Sequence, residues 1–219
     1  MKEDSVRNRE KDEIEMAERR KTILLEGFRL FEAKGIETTG MQEIATACNL
    51  GIATLYRYYK NKLDLVLDIG TRQWEDYGHY ARKQRELAHV ERMTAAEELE
   101  FYLGFYMDLY RNHKDLLRFN SNFNSYVNHE GASVQQLAPY LKAISSIERY
   151  FHELYIKGQK DGTIRTDMSE AKMFASTAHI MLAVAVRYAQ GLLYSADLEA
   201  DRTQEIELLK RLILKEFTV

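Results

Sequence analysis

The chain has little of what interrupts or cross-links a fold. Its 219 residues include one proline, 11 glycines and one cysteine. A single cysteine excludes an internal disulfide and suits a reducing compartment, so we expect a cytoplasmic protein. The scarcity of proline and glycine permits long helices. No segment approaches the apolar length of a membrane span, and the N-terminal stretch MKEDSVRNREKDE lacks the apolar run of a secretion signal.

Motifs for catalysis, metal binding and cofactor binding are also missing. The six histidines are scattered, without an HExxH pair or cysteine partners. There is no Walker loop, dinucleotide glycine fingerprint or GxSxG elbow. We therefore expect no enzymatic activity, no metal and no cofactor. Cys48 is interpreted as a small buried hydrophobe, with a redox switch as the alternative.

The hydrophobic pattern predicts an all-α protein of about nine helices. Hydrophobic residues make up 45% of the chain and charged residues 30%, and no alternating strand pattern or repeat is present. The first helix should end at Gly35, two short helices should follow before residue 60, and a long helix should run from Lys62 towards Arg85. Further helices are predicted at about 94–112, 114–128, 138–160, 169–195 and 203–217.

Residues 39–62 have the pattern of a helix-turn-helix. Thr39 is expected to cap the first helix, with Gln42 completing a capping box. Asn49 stands at the turn, where a residue tolerant of the left-handed conformation is needed, and Gly51 opens the second helix. The alternative is an ordinary helical hairpin with a solvated face.

The second helix of this motif should present a polar and aromatic face. Leu55 and Tyr59 lie four residues apart and are assigned inward. The residues then left outward are Ile52, Ala53, Thr54, Tyr56, Arg57 and Tyr58. Such a face suits phosphates and base edges better than a core. We expect Thr54, Tyr56, Tyr58 and Lys62 to hold phosphates, with Ile52, Ala53 and Arg57 nearer the bases; Thr39 and Gln42 complete the predicted DNA-binding set.

The charge distribution agrees with this assignment, although the net charge of −3 does not. Residues 1–62 hold 12 basic and 11 acidic side chains, whereas residues 63–219 hold 19 and 23. Between 51 and 62 there are Arg57, Lys60 and Lys62 and no acid. Positive charge is therefore concentrated where DNA contact is predicted, and nonspecific affinity for DNA should be modest.

The pattern IATACNLGIATLYRYYKNK resembles the DNA-binding signature of the TetR family of bacterial transcriptional regulators. The residues that match are Ile44, Ala45, Leu50, Thr54, Leu55, Tyr56, Tyr58 and Lys62. The departures are Asn49, Gly51, Ala53 and Tyr59. The resemblance implies a C-terminal domain that binds an effector. The chain then divides into a charged extension (1–18, with a DNA-contacting arm as the alternative), a helix-turn-helix domain (19–62) and an effector-binding and dimerisation domain (63–219).

Aromatic residues of the C-terminal part indicate either a packed core or a ligand pocket. A mostly apolar effector is expected among Phe101, Phe105, Tyr106, Phe119, Phe123, Tyr126, His179 and Met181. The helix from Lys62 is stiff enough to transmit movement to the helix-turn-helix.

The last two predicted helices are strongly apolar, which indicates either a homodimer interface or padding of the monomer core. The predicted interface residues are Ala183, Ile206, Leu209, Ile213 and Phe217. Together these features predict a ligand-responsive regulator, in the first place a repressor, that binds a pseudo-palindromic double-stranded operator as a homodimer. The alternative is a small-molecule binding or sequestering protein with a vestigial DNA-binding head.

Overall fold

The computed structural model describes residues 2–191 and 201–219, without the side chains of 2–11, 146 and 147. The described part is all-α, as predicted, and its contents beyond helices are turns and one isolated bridge between Ile164 and Thr218. The helices are α1 Lys2–Lys34, α2 Met41–Ala47, α3 Ile52–Tyr58, α4 Lys62–Leu87, α5 Ala95–Asn112, α6 Lys114–Glu130, α7 Val134–Asp161, α8 Glu170–Phe174, α9 Ile180–Ala189 and α10 Thr203–Phe217.

Most predicted helix ends are confirmed, and local capping explains them. Helix α1 ends before Gly35, whose φ of +90° is the left-handed conformation that glycine adopts at low cost. Helix α4 begins after Asn61, whose Oδ1 accepts the Asp64 backbone N–H at 2.8 Å. The charged N-terminal stretch is part of α1, so the first helix and the predicted extension are one continuous element.

Helix α7 begins at Val134, earlier than the predicted 138, because its start is fixed by a capping box. Ser133 Oγ accepts the backbone N–H of Gln136, and Gln136 Oε1 accepts the backbone N–H of Ser133 at 3.0 Å. Pro139 follows within the helix, near its exposed start. There the helical bond lost at proline leaves only the carbonyl of Gln135 to solvent. Proline therefore did not mark the helix boundary.

The predicted helix at 169–195 consists of α8, a π-helical turn at Ala175–His179 and α9. Within the turn, Thr177 Oγ1 donates to the carbonyls of Met173 and Phe174, both at 3.0 Å. The hydroxyl thus bonds to carbonyls whose helical pairing is changed by the wider turn. Residues 192–195 of the predicted helix lie outside the described residues.

The chain forms two compact units. The head unit is Met1–Gly70 with Asn122–Leu137, and the core unit is Thr71–Ser121 with Ala138–Val219. This division differs from the predicted boundary at residue 62, because the second half of α6 packs on the start of α4. A Cβ on Gly70 would lie 2.7 Å from Cε2 of Phe123, so the ring rests directly on the helix backbone.

Each unit has its own apolar interior. In the head unit the fully buried side chains include Ile23, Phe31, Ile36, Ile44, Leu55, Leu65 and Ile69. In the core unit they include Leu99, Leu103, Phe151, Leu154, Met173, Met181 and Ile206, and α5 packs against both α9 and α10. Burial of such side chains, each contributing about 1.5–3 kcal/mol, is the main stabilisation of both units.

We predict that Gly158→Ala destabilises the core unit. Gly158 is buried in α7, and a Cβ there would lie 2.2 Å from Cγ1 of Ile164, which overpacks the site by an expected cost of about 1–3 kcal/mol. Gly104→Ala is the matched control, since a Cβ at this helical position meets nothing within 4 Å and should stabilise by up to about 1 kcal/mol. Urea unfolding measures both; equal stability of the two variants would contradict the close contact.

Candidate nucleic-acid interface and core-unit cavity

The turn between α2 and α3 has the geometry that the sequence predicted. Asn49 adopts the left-handed conformation with φ +54°, which confirms its assignment. The backbone N–H of Asn49 donates to the Thr46 carbonyl at 3.0 Å, and that of Leu50 donates to the Ala45 carbonyl at 2.8 Å. These bonds close α2 and set the direction in which α3 begins.

Thr39 does not cap α2, and this prediction is wrong. The N-cap is Gly40, without a side-chain cap, and α2 begins at Met41. Thr39 is completely buried, and its hydroxyl donates to the Gly35 carbonyl at 2.8 Å. The hydroxyl closes the loop after α1 instead, so Thr39 is removed from the predicted DNA-contacting set. Gln42 is exposed in the first turn of α2.

Helix α3 turns its faces as predicted. Gly51 is its N-cap, and Leu55 and Tyr59 are buried in the head unit. Ala53, Tyr56 and Arg57 are exposed, with Tyr56 retaining 48% of its surface. The remaining outward residues, Ile52, Thr54 and Tyr58, are half-buried. The helix therefore exposes one arginine and one large ring to solvent.

A hydrogen-bonded triad anchors the end of α3. The Tyr59 hydroxyl donates to Asp68 Oδ2 at 2.5 Å, and Arg20 Nη2 donates to the same oxygen at 2.8 Å. Burial, followed by the bond to Asp68, raises the pKa of Tyr59 above its ordinary value, so its hydroxyl remains a donor. The triad joins α1, the end of α3 and α4. Sequence periodicity placed Tyr59 inward but gave no indication of these partners.

The ammonium of Lys62 is used inside the head unit. It donates to the carbonyls of Ile36, Glu37 and Thr39 at 2.9, 3.1 and 3.3 Å. It also lies 5.0 Å from the centroid of the Tyr126 ring, a cation–π contact. An ammonium has three N–H donors, and all three have protein partners here. Lys62 therefore has a structural role in the head unit, and its phosphate contact stays a prediction.

An open groove of about 510 Å³ lies beside α3 in the head unit. It is lined by Gly40, Met41, Gln42, Ile52, Tyr56, Lys60, Asn61 and Lys62. Gln42, Tyr56 and Lys60 bring amide, hydroxyl and ammonium groups to this groove, and each is exposed. Lys60 is not among the contacting residues predicted from the sequence, although its charge is part of the basic stretch at 51–62.

The core unit encloses a cavity of about 30 Å³ between aromatic side chains. Its lining consists of Trp74, Tyr77, Gly78, Ala81, Tyr102, Phe105, Tyr106, Leu109 and Tyr150. A void of this size holds about two water molecules, far below the several hundred Å³ of a drug-sized ligand site. Any larger ligand has to displace lining side chains, of which Phe105 and Tyr150 are only half-buried.

The polar groups around the cavity are largely satisfied. The Tyr77 hydroxyl donates to the Phe105 carbonyl at 2.9 Å, and the hydroxyls of Tyr102 and Tyr106 share a bond of 3.1 Å. Burial raises the pKa of Tyr106 to about 12 and that of Tyr102 well above its ordinary value. Both phenols therefore stay neutral, and the cavity wall is apolar at physiological pH.

The structure brings together only part of the predicted effector set. Phe105 and Tyr106 line the cavity, and Phe101 stacks edge-on against Phe105 at 5.2 Å without lining it. Phe119 and Met181 are buried in the core unit, whereas His179 is exposed beside Phe174.

Phe123 and Tyr126 belong to the head unit, where they contact Gly70 and Lys62, so their assignment to the cavity is corrected. The lining residues from α4 were missed. Their helical spacing at 74, 77, 78 and 81 is visible in the sequence and could have indicated them.

The predicted dimer residues are mostly interior. Ile206, Ile213 and Phe217 are buried within the single chain, and Leu209 is half-buried. Ala183 is exposed on α9. The large apolar side chains that α9 and α10 expose are Ile180, Leu208 and Leu212, at 45%, 50% and 56%. The stripe predicted for α10 as an interface is therefore its core-facing side, and its exposed apolar side chains lie on the opposite face.

Among residues 2–191 and 201–219 no cluster of three or more histidine, cysteine, aspartate or glutamate side chains could hold a metal ion. In the same residues no helix is long and apolar enough to span a membrane. Cys48 is half-buried, and burial, followed by the charge of Glu26, raises its pKa to about 11. The thiol is protonated at neutral pH, which disfavours the redox alternative.

Residues 23–69 match the family model for bacterial regulatory proteins of the tetR family. The match covers the last part of α1, α2, α3 and the beginning of α4. Over these residues, which are less than half of the chain, the protein is similar to that family.

A helix-turn-helix transcriptional regulator from Staphylococcus aureus strain bovine RF122 / ET3-1 is 29% identical over 98 residues, which are 45% of this chain and 51% of that protein. The chain spans about half the length of the curated relatives it matches.

Solved structures of transcriptional regulators share the fold over most of the chain. A regulator from Saccharomonospora viridis in complex with choline is 17% identical, with a TM-score of 0.69 over 93% of this chain and 99% of that one. FadR from Bacillus subtilis in complex with stearoyl-CoA is 13% identical, with a TM-score of 0.67 over 89% and 97%. At these identities the likeness shows the fold alone.

We predict that Lys62→Met lowers the stability of the head unit. The three loop carbonyls would lose a charged donor, and a bond to a charged group contributes about 1.5–3 kcal/mol. Lys60→Met is the matched control, because Lys60 is exposed and should change stability by less than about 0.5 kcal/mol. Thermal unfolding followed by circular dichroism compares them. If Lys62 contacted only an external partner, both variants would have the melting temperature of the wild type.

Proposed function

We propose that this protein is a ligand-responsive transcriptional regulator of the TetR family that binds double-stranded DNA through α3. The observation that carries the proposal is the exposed face of α3, with Tyr56 and Arg57 in solvent while Leu55 and Tyr59 fix the helix to the head unit. A helix held in this way by one face fits the major groove with the other. Since its target is DNA, the cytoplasm is the expected location.

Individual contacts follow from exposure and chemistry. Arg57 is exposed and carries a planar cation suited to a guanine edge. Ile52 and Ala53 lie at the start of the same helix and are proposed to face the bases with it. Tyr56, Gln42 and Lys60 share the groove beside α3, which fits a phosphate backbone. Thr54 and Tyr58, both half-buried, are proposed to contribute hydroxyls at the edges of this face.

We predict that Tyr56→Ala combined with Arg57→Ala weakens DNA binding and relaxes sequence preference at one base position while leaving folding intact. Arg57→Ala alone should cost about 1–3 kcal/mol at one base position, whereas Tyr56→Ala should weaken binding to all sequences alike. Selection from a randomised duplex library identifies the preferred site, and fluorescence anisotropy at several salt concentrations measures affinity. Arg82→Ala, an exposed arginine of the core unit, is the control. Wild-type affinity in the double variant would exclude this docking.

The same experiment decides between the two functional classes. A small-molecule binding protein with a vestigial head would show only weak, salt-sensitive and sequence-independent binding. The regulator that we propose should select one duplex sequence and bind it more tightly than random DNA by a factor of 10³ or more, as is typical of specific binders.

We further propose a twofold homodimer through α9 and α10, which pack against each other in the core unit. Their exposed apolar residues Ile180, Leu208 and Leu212, together with Ala183, form a surface that is costly to leave in water. A dimer of two DNA-binding heads reads a pseudo-palindromic operator with half-sites about one helical turn or slightly more apart.

We predict that Leu208→Glu combined with Leu212→Glu produces a folded monomer. Both side chains are at least half exposed in the single chain, so the charges should disturb association and not the core. Leu87→Glu combined with Leu141→Glu is the matched control, because these leucines are exposed at 64% and 51% on α4 and α7. Sedimentation velocity gives the mass of each. A dimeric double variant on α10, or a monomeric control, would place the interface elsewhere.

The ligand part of the proposal rests on the aromatic cavity of the core unit. The related structures with choline and with stearoyl-CoA show that this fold accommodates small molecules of different chemistry. Here the walls are apolar, and a mostly apolar effector fits them. Helix α4 contributes residues to both units, so we propose that it is the element through which a ligand biases DNA affinity, with coupling of about 1–3 kcal/mol.

A further inference from the structure

A buried cluster of charges lies at one end of the aromatic cavity. Arg85 Nη2 donates to Glu98 Oε1 at 2.8 Å, and the side chains of Arg85 and Glu98 are only 9% and 2% exposed. Lys157 binds the second oxygen of Glu98 and donates to the Val90 carbonyl at 2.9 Å. Two cations therefore share one fully buried carboxylate.

Glu153 is also paired with Arg85, but it does not give every N–H of the guanidinium an acceptor. Glu153 Oε2 lies 3.6 Å from Arg85 Nη2, and its side chain is 53% exposed. Arg85 Nη1 is the buried side-chain nitrogen that has no hydrogen-bond partner among the described residues. A buried N–H of a guanidinium without an acceptor has lost its hydration without compensation. Such a group calls for an explanation, and an acceptor supplied by a bound ligand is one.

The position of Arg85 relates this nitrogen to the cavity. Arg85 follows the lining residue Ala81 by one turn of α4, and its guanidinium lies 4.3 Å from the ring centroid of Tyr150, which also lines the cavity. On α5, Glu98 precedes the lining residue Tyr102 by one turn. The two helices run antiparallel here, since Arg85 pairs with Glu98 while Tyr77 bonds to Phe105. The charges therefore sit at one end of the aromatic walls.

We propose that the effector is an amphipathic organic acid whose carboxylate is received by Arg85 while its apolar body displaces the aromatic lining. This rests on the proposed function and specifies the ligand class of the same cavity. Glu98 and Lys157 act as positioning residues, because they hold the guanidinium in place without reaching the ligand. An organic cation is disfavoured, since Arg85 already occupies the face of Tyr150 and would repel it.

The test uses three matched series on 4-phenylbutyl, 4-cyclohexylbutyl and decyl skeletons, each as the carboxylate, the primary amide and the amine. Trp74 is the only tryptophan of the chain and lines the cavity, so its emission reports binding directly. We expect at least one acid to bind, at least tenfold tighter than its amide, with the amine weakest. A tenfold ratio is the lower end of what a bond to a charged group contributes.

Arg85→Met should remove the preference for the acid while leaving the affinity for the amide within about twofold. Arg82→Met, three residues earlier on α4 and exposed, is the control and should retain the preference. Arg85→Met leaves Glu98 paired with Lys157. If that variant still fails to fold, Arg85→Met combined with Glu98→Gln removes the cation and its carboxylate together, and the same loss of preference is expected.

Three outcomes would overturn the proposal: no acid changes the emission of Trp74, the acid binds no better than its amide, or the preference persists without Arg85. A water molecule that permanently satisfies Arg85 Nη1 would give the second outcome. DNA binding is measured separately, without any ligand. Sequence-specific DNA binding without acid preference would remove only this inference, whereas acid preference without DNA binding would remove the proposed function.

Discussion

The head unit depends on the ammonium of Lys62. Three separate stretches of chain meet there: the loop after α1 supplies three carbonyls, α4 supplies the lysine, and α6 supplies the ring of Tyr126. Carbonyls of a loop that is held against a core would otherwise lack donors. Because the same loop leads into α2, one cation fixes where the helix-turn-helix begins relative to α4. The triad of Arg20, Tyr59 and Asp68 does the equivalent at the end of α3.

The core unit combines a packed interior with a small cavity. Aromatic rings from α4, α5 and α7 surround the cavity, and their hydroxyls bond mainly to each other or to backbone carbonyls. Such walls are apolar and can separate without leaving charges exposed. The buried charges are confined to one end, where Arg85, Glu98 and Lys157 are held together. Apolar walls and buried charges are thus separated along the helices, and the proposed amphipathic acid would use both.

Several elements were predictable because their causes are local. The turn at Asn49, the cap at Asn61, the end of α1 at Gly35 and the inward pair Leu55 and Tyr59 each follow from conformational preference or helical spacing. The wrong predictions concern helix starts, where two nearby residues could each satisfy the same local rule. Thr39 stands next to the glycine that caps α2, and its hydroxyl found a loop carbonyl instead. The predicted start of α7 at about residue 138 is late, because the Ser133 capping box determines where this helix begins.

The sequence by itself determined the helical class, the position of the helix-turn-helix and the outward face of α3, because these depend on neighbours within about four residues. The tertiary structure decided which side of each long helix is interior. On α10 two apolar stripes are present, and only packing against α5 assigns Ile206 and Ile213 to the core and leaves Leu208 and Leu212 outside. The tertiary structure likewise places Phe123 and Tyr126 in the head unit instead of the cavity, and it brings Arg85 next to Glu98. These features were not predicted because contacts between residues distant in the chain leave no periodic signal in the sequence.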